Sequence, residues 1–252
     1  MSKTLVETKF DDGLAVVLIN NPPNNLLDNK LLDLIEKECA LVERNGARAI
    51  LFLSKLKHFS AGANPEFLNH RKASSDTMRL IKIIEGIGIP TVAGINGTAV
   101  GGGFELALGC DFIVASETSS IGLVEVSVGL MPLAGGVQRV IERAGVLRGK
   151  EMSMLGRRYD AETLEKWGVI NLVVPEIQLS DAAVALAKQL ANGPTVALRE
   201  IKRISRIALG YGVKRADDEM KRSSEVVLNS SDARVGIEFL SRNSDQISFD
   251  GK

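Results

Sequence analysis

Short apolar, β-branched runs separated by helical patterns constrain this 252-residue chain more than any other feature. The runs are LAVVLIN at 14–20, ARAILFLS at 47–54, IPTVAGIN at 89–96, DFIVAS at 111–116 and INLVV at 170–174. Their lengths and composition are those of strands. Between the first two, Leu27, Leu31, Leu34, Ile35 and Val42 recur at helical spacing and the pattern stops at Gly46. Strands alternating with helices predict an α/β domain. From about Asp181 the texture changes to successive helical patterns punctuated by Pro194, Gly210 with Gly212, and Ser230-Ser231. The expected division is therefore an α/β core over 1–194 and a helical C-terminal region over 195–252. Fewer than sixty residues make a poor independent core, so that region is expected to pack on the main domain or on a neighbouring subunit.

Charge narrows the function classes. Lys and Arg number 31 against 31 Asp and Glu, a formal net charge of +0, so nothing attracts nucleic acid or an anionic membrane surface. An anionic ligand must be met by local groups. No apolar run is long enough to cross a bilayer and the N-terminus has no leader-like apolar stretch, which makes a cytoplasmic enzyme the expectation. Cys39 and Cys110 are far apart, without metal-ligand spacing, and read as buried thiols. His58 and His70 are too isolated to hold a metal, and none is expected.

The stretch GTAVGGGFELALGCD, Gly97 to Asp111, sets three consecutive glycines before an apolar helical pattern that contains Glu105. Two phosphate loops are excluded. Leu106 stands where G-x-G-x-x-G from Gly101 needs glycine, and Ala144 stands where a P-loop ending at Gly149-Lys150 needs it. The serine-hydrolase elbow G-x-S-x-G is absent too. A tight strand-to-helix turn and a binding loop both remain compatible with the spacing. At a helix N-terminus, free backbone N–H groups and the helix dipole favour negative charge. A second glycine-bearing turn, KHFSAGANPEFL at 57–68, follows another predicted strand. Two converging N–H donors are the minimum needed to stabilise an enolate forming at a carbonyl oxygen.

HFSAGAN, INGTAVGGGFELALGCD and IGLVEVSVGLMPLAGGVQR resemble, in order and spacing, the signature segments of the enoyl-CoA hydratase/isomerase (crotonase) superfamily. The resemblance covers nearly the whole chain. It implies a spiral of ββα units with a C-terminal helical trimerisation region, and homotrimers that commonly pair into hexamers. It also implies an acyl-CoA thioester substrate, CoA being part of the substrate and no separate cofactor being needed. The thioester oxygen would lie between the N–H groups of Ala63 and Gly102. Glu105 and Glu125 match the hydratase glutamates, with Glu125 protonating Cα and Glu105 activating water at Cβ. Two carboxyls in one partly dry pocket raise an apparent pKa and supply an acid near neutrality.

Isomerases of the family work with the Glu125-type carboxylate alone, so retention of both glutamates favours an enoyl-CoA hydratase. An enoyl-CoA isomerase and a non-catalytic acyl-CoA-binding protein are the alternatives. For CoA itself, Lys57 and Arg242 match family cations, Ala61 and Ala63 would support the adenine, and His58 is read as structural. The acyl chain would meet the helix after 65 and the segments at Leu130 and Leu133. Three departures stand out: Val124 where proline is usual before the second glutamate, Asn64 where aspartate is common, and PLAGG at 132–136.

Overall fold

The computed structural model describes residues 4–68, 73–242 and 247–252; at 67–68, 73–77 and 242 it describes the backbone alone. His70 lies outside the described residues. All five predicted strand runs form strands: β2 (Leu14–Ile19), β3 (Ala49–Ser54), β4 (Thr91–Ile95), β6 (Phe112–Ser116) and β9 (Leu172–Val174). They lie side by side and parallel in a six-stranded sheet of order β1-β2-β3-β4-β6-β9, with β1 (Val6–Asp11) antiparallel at one edge. Sequence periodicity did not show β1, VETKFD, because an edge strand exposes most of its side chains and needs no apolar run.

A second, smaller layer was also hidden. β5 (Thr98–Val100), β7 (Ser120–Gly122) and β8 (Tyr159–Asp160) form a three-stranded sheet in that order. Two isolated parallel bridges extend it, Ser60 to Ala99 and Leu27 to Ala63. These short pieces explain the repeat. Each unit runs from a strand of the large sheet, through an extended piece of the small layer, into a helix. β2 leads through Leu27 to α1 (Asn29–Arg44), and β3 leads through 60–63 to α2 (Pro65–Leu68) and α3 (Ala73–Gly86). β4 leads through β5 to α4 (Gly102–Gly109), and β6 through β7 to α5 (Gly136–Leu155), which is broken at Gly145. Two or three residues of extended chain fall below the length at which alternation becomes legible in a sequence.

α1 begins where Asp28 caps it, its carboxylate accepting from Leu31 N at 2.8 Å, and buries the Leu31, Leu32, Ile35, Cys39 and Val42 stripe. That stripe joins the main core with Phe52, Phe59 and Phe104. The sheet's opposite face is covered by α7 (Leu179–Ala191), whose Ala183, Ala187 and Ala191 allow close approach to Leu51, Val92 and Val114. α6 (Ala161–Lys166) links β8 to β9. After α7 come α8 (Thr195–Tyr211), α9 (Val213–Leu228) and α10 (Ser231–Arg242). Lys202 anchors α8, its Nζ donating to Asp111 Oδ2 at 2.6 Å and to Ile89 O at 2.9 Å. Arg48 holds the tail by donating to Phe249 O, Gly193 O and Thr195 Oγ1. Cys39 and Cys110 are buried free thiols, as expected. No helix among the described residues is long and apolar enough to cross a membrane.

Candidate active site

α4 is short, apolar and buried on nearly every side, so Glu105 within it is buried as well, at 2% exposure. The glycines before it answer to separate demands. Gly101 has φ 52 and ψ −130, a backbone region closed to residues with a Cβ. A Cβ on Gly103 would lie 2.5 Å from both Cβ and O of Ser60. Gly102 meets neither constraint. A methyl there would only contact Leu27 Cδ1 at 3.4 Å, and would stand 3.6 Å from Ala63 N. The two glycine turns are therefore neighbours.

A cavity of about 230 Å³ opens between them. Ala61, Gly62, Ala63, Gly101, Gly102, Glu105 and Glu125 line it together, so residues expected from three separate segments do meet. Among the described residues neither Ala63 N nor Gly102 N donates to a protein acceptor. The rest of the wall is apolar and includes Leu27, Leu32 and Leu80. Leu130 and Leu133 line it as expected, and of the helical stretch expected after 65 it is Leu80 of α3 that does so, with Pro65 at the start of α2 lining it too; residues 69–72 lie outside the described residues.

Glu105 is held from one side. Its Oε1 accepts from Ala134 N at 2.9 Å and from Gly136 N at 2.8 Å. Gly136 opens α5, so the carboxylate satisfies free N–H groups at that helix's start and lies at the positive end of its dipole. The PLAGG departure is thus accommodated. Gly135 takes the left-handed φ of 87, and a Cβ on Gly136 would sit 2.9 Å from Glu105 Cγ. Burial pushes the Glu105 carboxyl up to about 7; the two backbone bonds and Arg139 oppose that rise, while the charge of Glu125 adds to it.

Glu125 opens the 3-10 turn Glu125–Val128 and is half-buried. Its Oε1 faces Gly101, 3.1 Å from where a Cβ there would be. Burial raises its pKa above the ordinary carboxylate value, and Oε2 is buried with no hydrogen-bond partner among the described residues. Val124, in place of proline, leaves Glu125 in the cavity wall. Asn64 accepts from Glu66 N at 3.0 Å, a capping bond that aspartate would also make.

The remaining expectations divide. His58 Nδ1 accepts from Thr98 N at 3.2 Å, consistent with a structural role. Lys57 is exposed and is not among the cavity-lining residues. The Arg242 side chain lies outside the described residues.

Sequence reasoning missed Asn25. It is fully buried with φ 53. Its Nδ2 donates to Ser54 Oγ, His58 O and Phe59 O, its Oδ1 accepts from Asn21 N, and its carbonyl accepts from Ser60 Oγ. Leu27 then brackets Ala63, its N donating to Gly62 O and its O accepting from Asn64 N. Asn25 and Leu27 together fix the turn that carries the Ala63 amide. The available signal was an Asn-Asn pair after two prolines, since asparagine tolerates positive φ and bonds to nearby backbone.

The enoyl-CoA hydratase/isomerase family model matches residues 9–237 of this chain. Carnitinyl-CoA dehydratase of Salmonella paratyphi B is 38% identical over 162 residues, 63% of this chain and 62% of that protein's length. Among solved structures, the enoyl-CoA hydratase of Bacillus anthracis superposes with a TM-score of 0.91 at 27% identity, over 99% of this chain and 100% of that one. DspI of Pseudomonas aeruginosa does so with a TM-score of 0.91 at 27% identity, over 96% of each chain. The ββα spiral is therefore the crotonase fold, and the chain belongs to the enoyl-CoA hydratase/isomerase family.

Proposed function

We propose that this protein is an enoyl-CoA hydratase, adding water reversibly and syn across the 2,3 double bond of a 2-enoyl-CoA. The observation that carries the reading is that Glu105 and Glu125, both with raised pKa, line the same apolar cavity as the Ala63 and Gly102 amides. In this reading the thioester oxygen accepts from Ala63 N and Gly102 N. Their N–H groups, with the dipole of α4, stabilise the oxygen as it gains enolate charge. Water attacks Cβ as the Glu105 carboxylate takes its proton. The enolate then collapses as the Glu125 carboxyl delivers a proton to Cα. Glu105 ends protonated and Glu125 ionised, and a proton passed through the next water restores both.

The near-neutral pKa of Glu105 suits it to both directions, since a base poised near the working pH gives and takes a proton with little penalty. Dehydration is hydration in reverse, and it is the chemistry in the name of the Salmonella relative. CoA would run over Ala61 toward Lys57 and Arg242. Apolar side chains left exposed on α8, α9 and α10, among them Ile201, Leu209, Leu228 and Leu240, support assembly as a homotrimer or homohexamer.

Incubation with a 2-enoyl-CoA in water labelled with deuterium and oxygen-18 tests the reaction. A 3-hydroxyacyl-CoA with oxygen-18 at C3 and deuterium at C2 is expected. Interconversion of 2-enoyl-CoA and 3-enoyl-CoA without any hydroxyacyl product would make it an isomerase. Binding without turnover of any enoyl-CoA would make it an acyl-CoA-binding protein.

A further inference from the structure

Gly135 and Gly136 share a peptide plane that is engaged at both ends. Its carbonyl, Gly135 O, accepts from Arg139 Nη1 at 3.0 Å, and its N–H, that of Gly136, donates to Glu105 Oε1 at 2.8 Å. The C=O and N–H of a trans peptide point to opposite sides of one rigid plane, so holding one end orients the other. Arg139 is itself held. Its Nε donates to Glu85 Oε1 at 2.8 Å, its Nη2 reaches the same oxygen, and its side chain is only 14% exposed. Glu85 lies on α3, whose Leu80 forms part of the cavity wall.

The result is a line of four groups: the Glu85 carboxylate, the Arg139 guanidinium, one peptide and the Glu105 carboxylate. Hydrogen bonds in series polarise one another most where water is excluded, as at the buried Glu105 end of the line; the Glu85 side chain is 39% exposed and acts through more solvent. A cation at Gly135 O draws electron density toward that oxygen and leaves the Gly136 proton more positive, which favours the ionised form of Glu105. The anion of Glu85 works against that pull. Other ionisable groups near α4 include Glu125, whose charge adds to the rise in the Glu105 pKa, and, at the helix's far end, Arg143, which donates to Leu108 O and Cys110 O, with the Asp111–Lys202 pair beside Cys110. The Cys110 thiol there is pushed up to about 12 and stays neutral.

We propose that Arg139 is a positioning residue for Glu105, acting through the 135–136 peptide, and that Glu85 sets the strength of its effect. The kinetic consequence rests on the reading of Glu105 as the base that activates water; the effect on the titration of Glu105 does not. Arg139→Met removes the cation and leaves Gly135 O with only the longer bond from the backbone N–H of residue 139, at 3.3 Å. Glu85→Gln keeps an oxygen for Arg139 but removes the opposing charge. The two variants should therefore move Glu105 in opposite directions.

The full-length protein, carrying carbon-13 at its glutamate carboxyls, is titrated without ligand, the Glu105 signal being assigned by its loss in Glu105→Gln. The Arg139→Met variant should raise the Glu105 pKa by roughly 0.5 to 1 unit and Glu85→Gln should lower it. With a 2-enoyl-CoA, the acid limb of the kcat profile should move with the titration, with little change in KM. Shifts of the same sign in both variants, accompanied by equal losses of Tm, would mean only a loosened turn and would overturn the proposal. Unchanged titration in folded variants would overturn it as well. Opposite shifts in a protein that turns over no enoyl-CoA would support it while refuting the hydratase reading.

Discussion

Gly103 packs so tightly on Ser60 that a Cβ on the glycine would lie 2.5 Å from the serine's Cβ and 2.5 Å from its carbonyl oxygen. Ser60 cannot retreat. Its N and O are bonded to Thr98 O and Val100 N, and its Oγ to Asn25 O. This contact seats the start of α4 against the other glycine turn, which is why Gly102 and Ala63 are neighbours.

Substitutions at adjacent glycines should consequently separate stability from binding. Gly103→Ala should cost about 1–3 kcal/mol, as overpacking does in a rigid site, and lower Tm. Gly102→Ala should leave Tm nearly unchanged, because its nearest contacts lie at 3.4 Å and beyond. Its methyl would stand beside Ala63 N, so acyl-CoA turnover should fall at least tenfold. Thermal melts and steady-state kinetics on the pair check both statements.

Glu105 should make the protein less stable as pH rises. Its carboxyl titrates near 4.5 when unfolded and near 7 when folded, so between those values the folded state holds more protons. Stability therefore declines from pH 4.5 to about 7 and levels off above that. The Glu105→Gln variant keeps an acceptor for Ala134 N and Gly136 N without a charge to desolvate. It should match the parent near pH 5 and exceed it by roughly 2–3 kcal/mol at pH 8. Urea unfolding at the two pH values measures the difference, and the variant should lose turnover at both.

Asn25 should tolerate glycine better than aspartate. Asn25→Gly retains the positive φ but removes the side chain's bonds to Ser54 Oγ, His58 O, Phe59 O and Asn21 N, with an expected cost of about 2–4 kcal/mol. Asn25→Asp turns an oxygen toward Ser54 Oγ, His58 O and Phe59 O, where an amide now donates. A buried anion facing two carbonyls is the worse case. Chemical unfolding of the two variants should place aspartate below glycine, and in both the loss of turnover should exceed the loss of folded protein at the assay temperature.

Lys202 and Asp111 should be strongly coupled. Lys202 is 8% exposed and Asp111 Oδ2 also accepts from Thr91 N and Oγ1, so neither charge is free to move away. Lys202→Met should cost about 3 kcal/mol by leaving the carboxylate unpaired. The further cost of Asp111→Asn should be much smaller in that background than in the parent. A double-mutant cycle that came out additive would show that the pair does not act together.

The amino-acid sequence by itself determined the α/β class, the five strands of the main sheet, the α1 stripe, the helical C-terminal stretch and the family. These follow from chain-local regularities, namely apolar period, caps and glycine-bearing segments in a fixed order. It also supplied Glu105, Glu125, Ala63 and Gly102 as candidates, through resemblance. Only the tertiary structure decided that these four line one cavity, because that depends on the short strands of the small layer and on Ser60 meeting Gly103, contacts between segments some forty residues apart. The same holds for the Asn25 hub, for the grip of Ala134 and Gly136 on Glu105, and for the neutral-range pKa that burial gives that carboxyl. Desolvation and hydrogen-bond partnership belong to the packed chain, and no local pattern of residues encodes them.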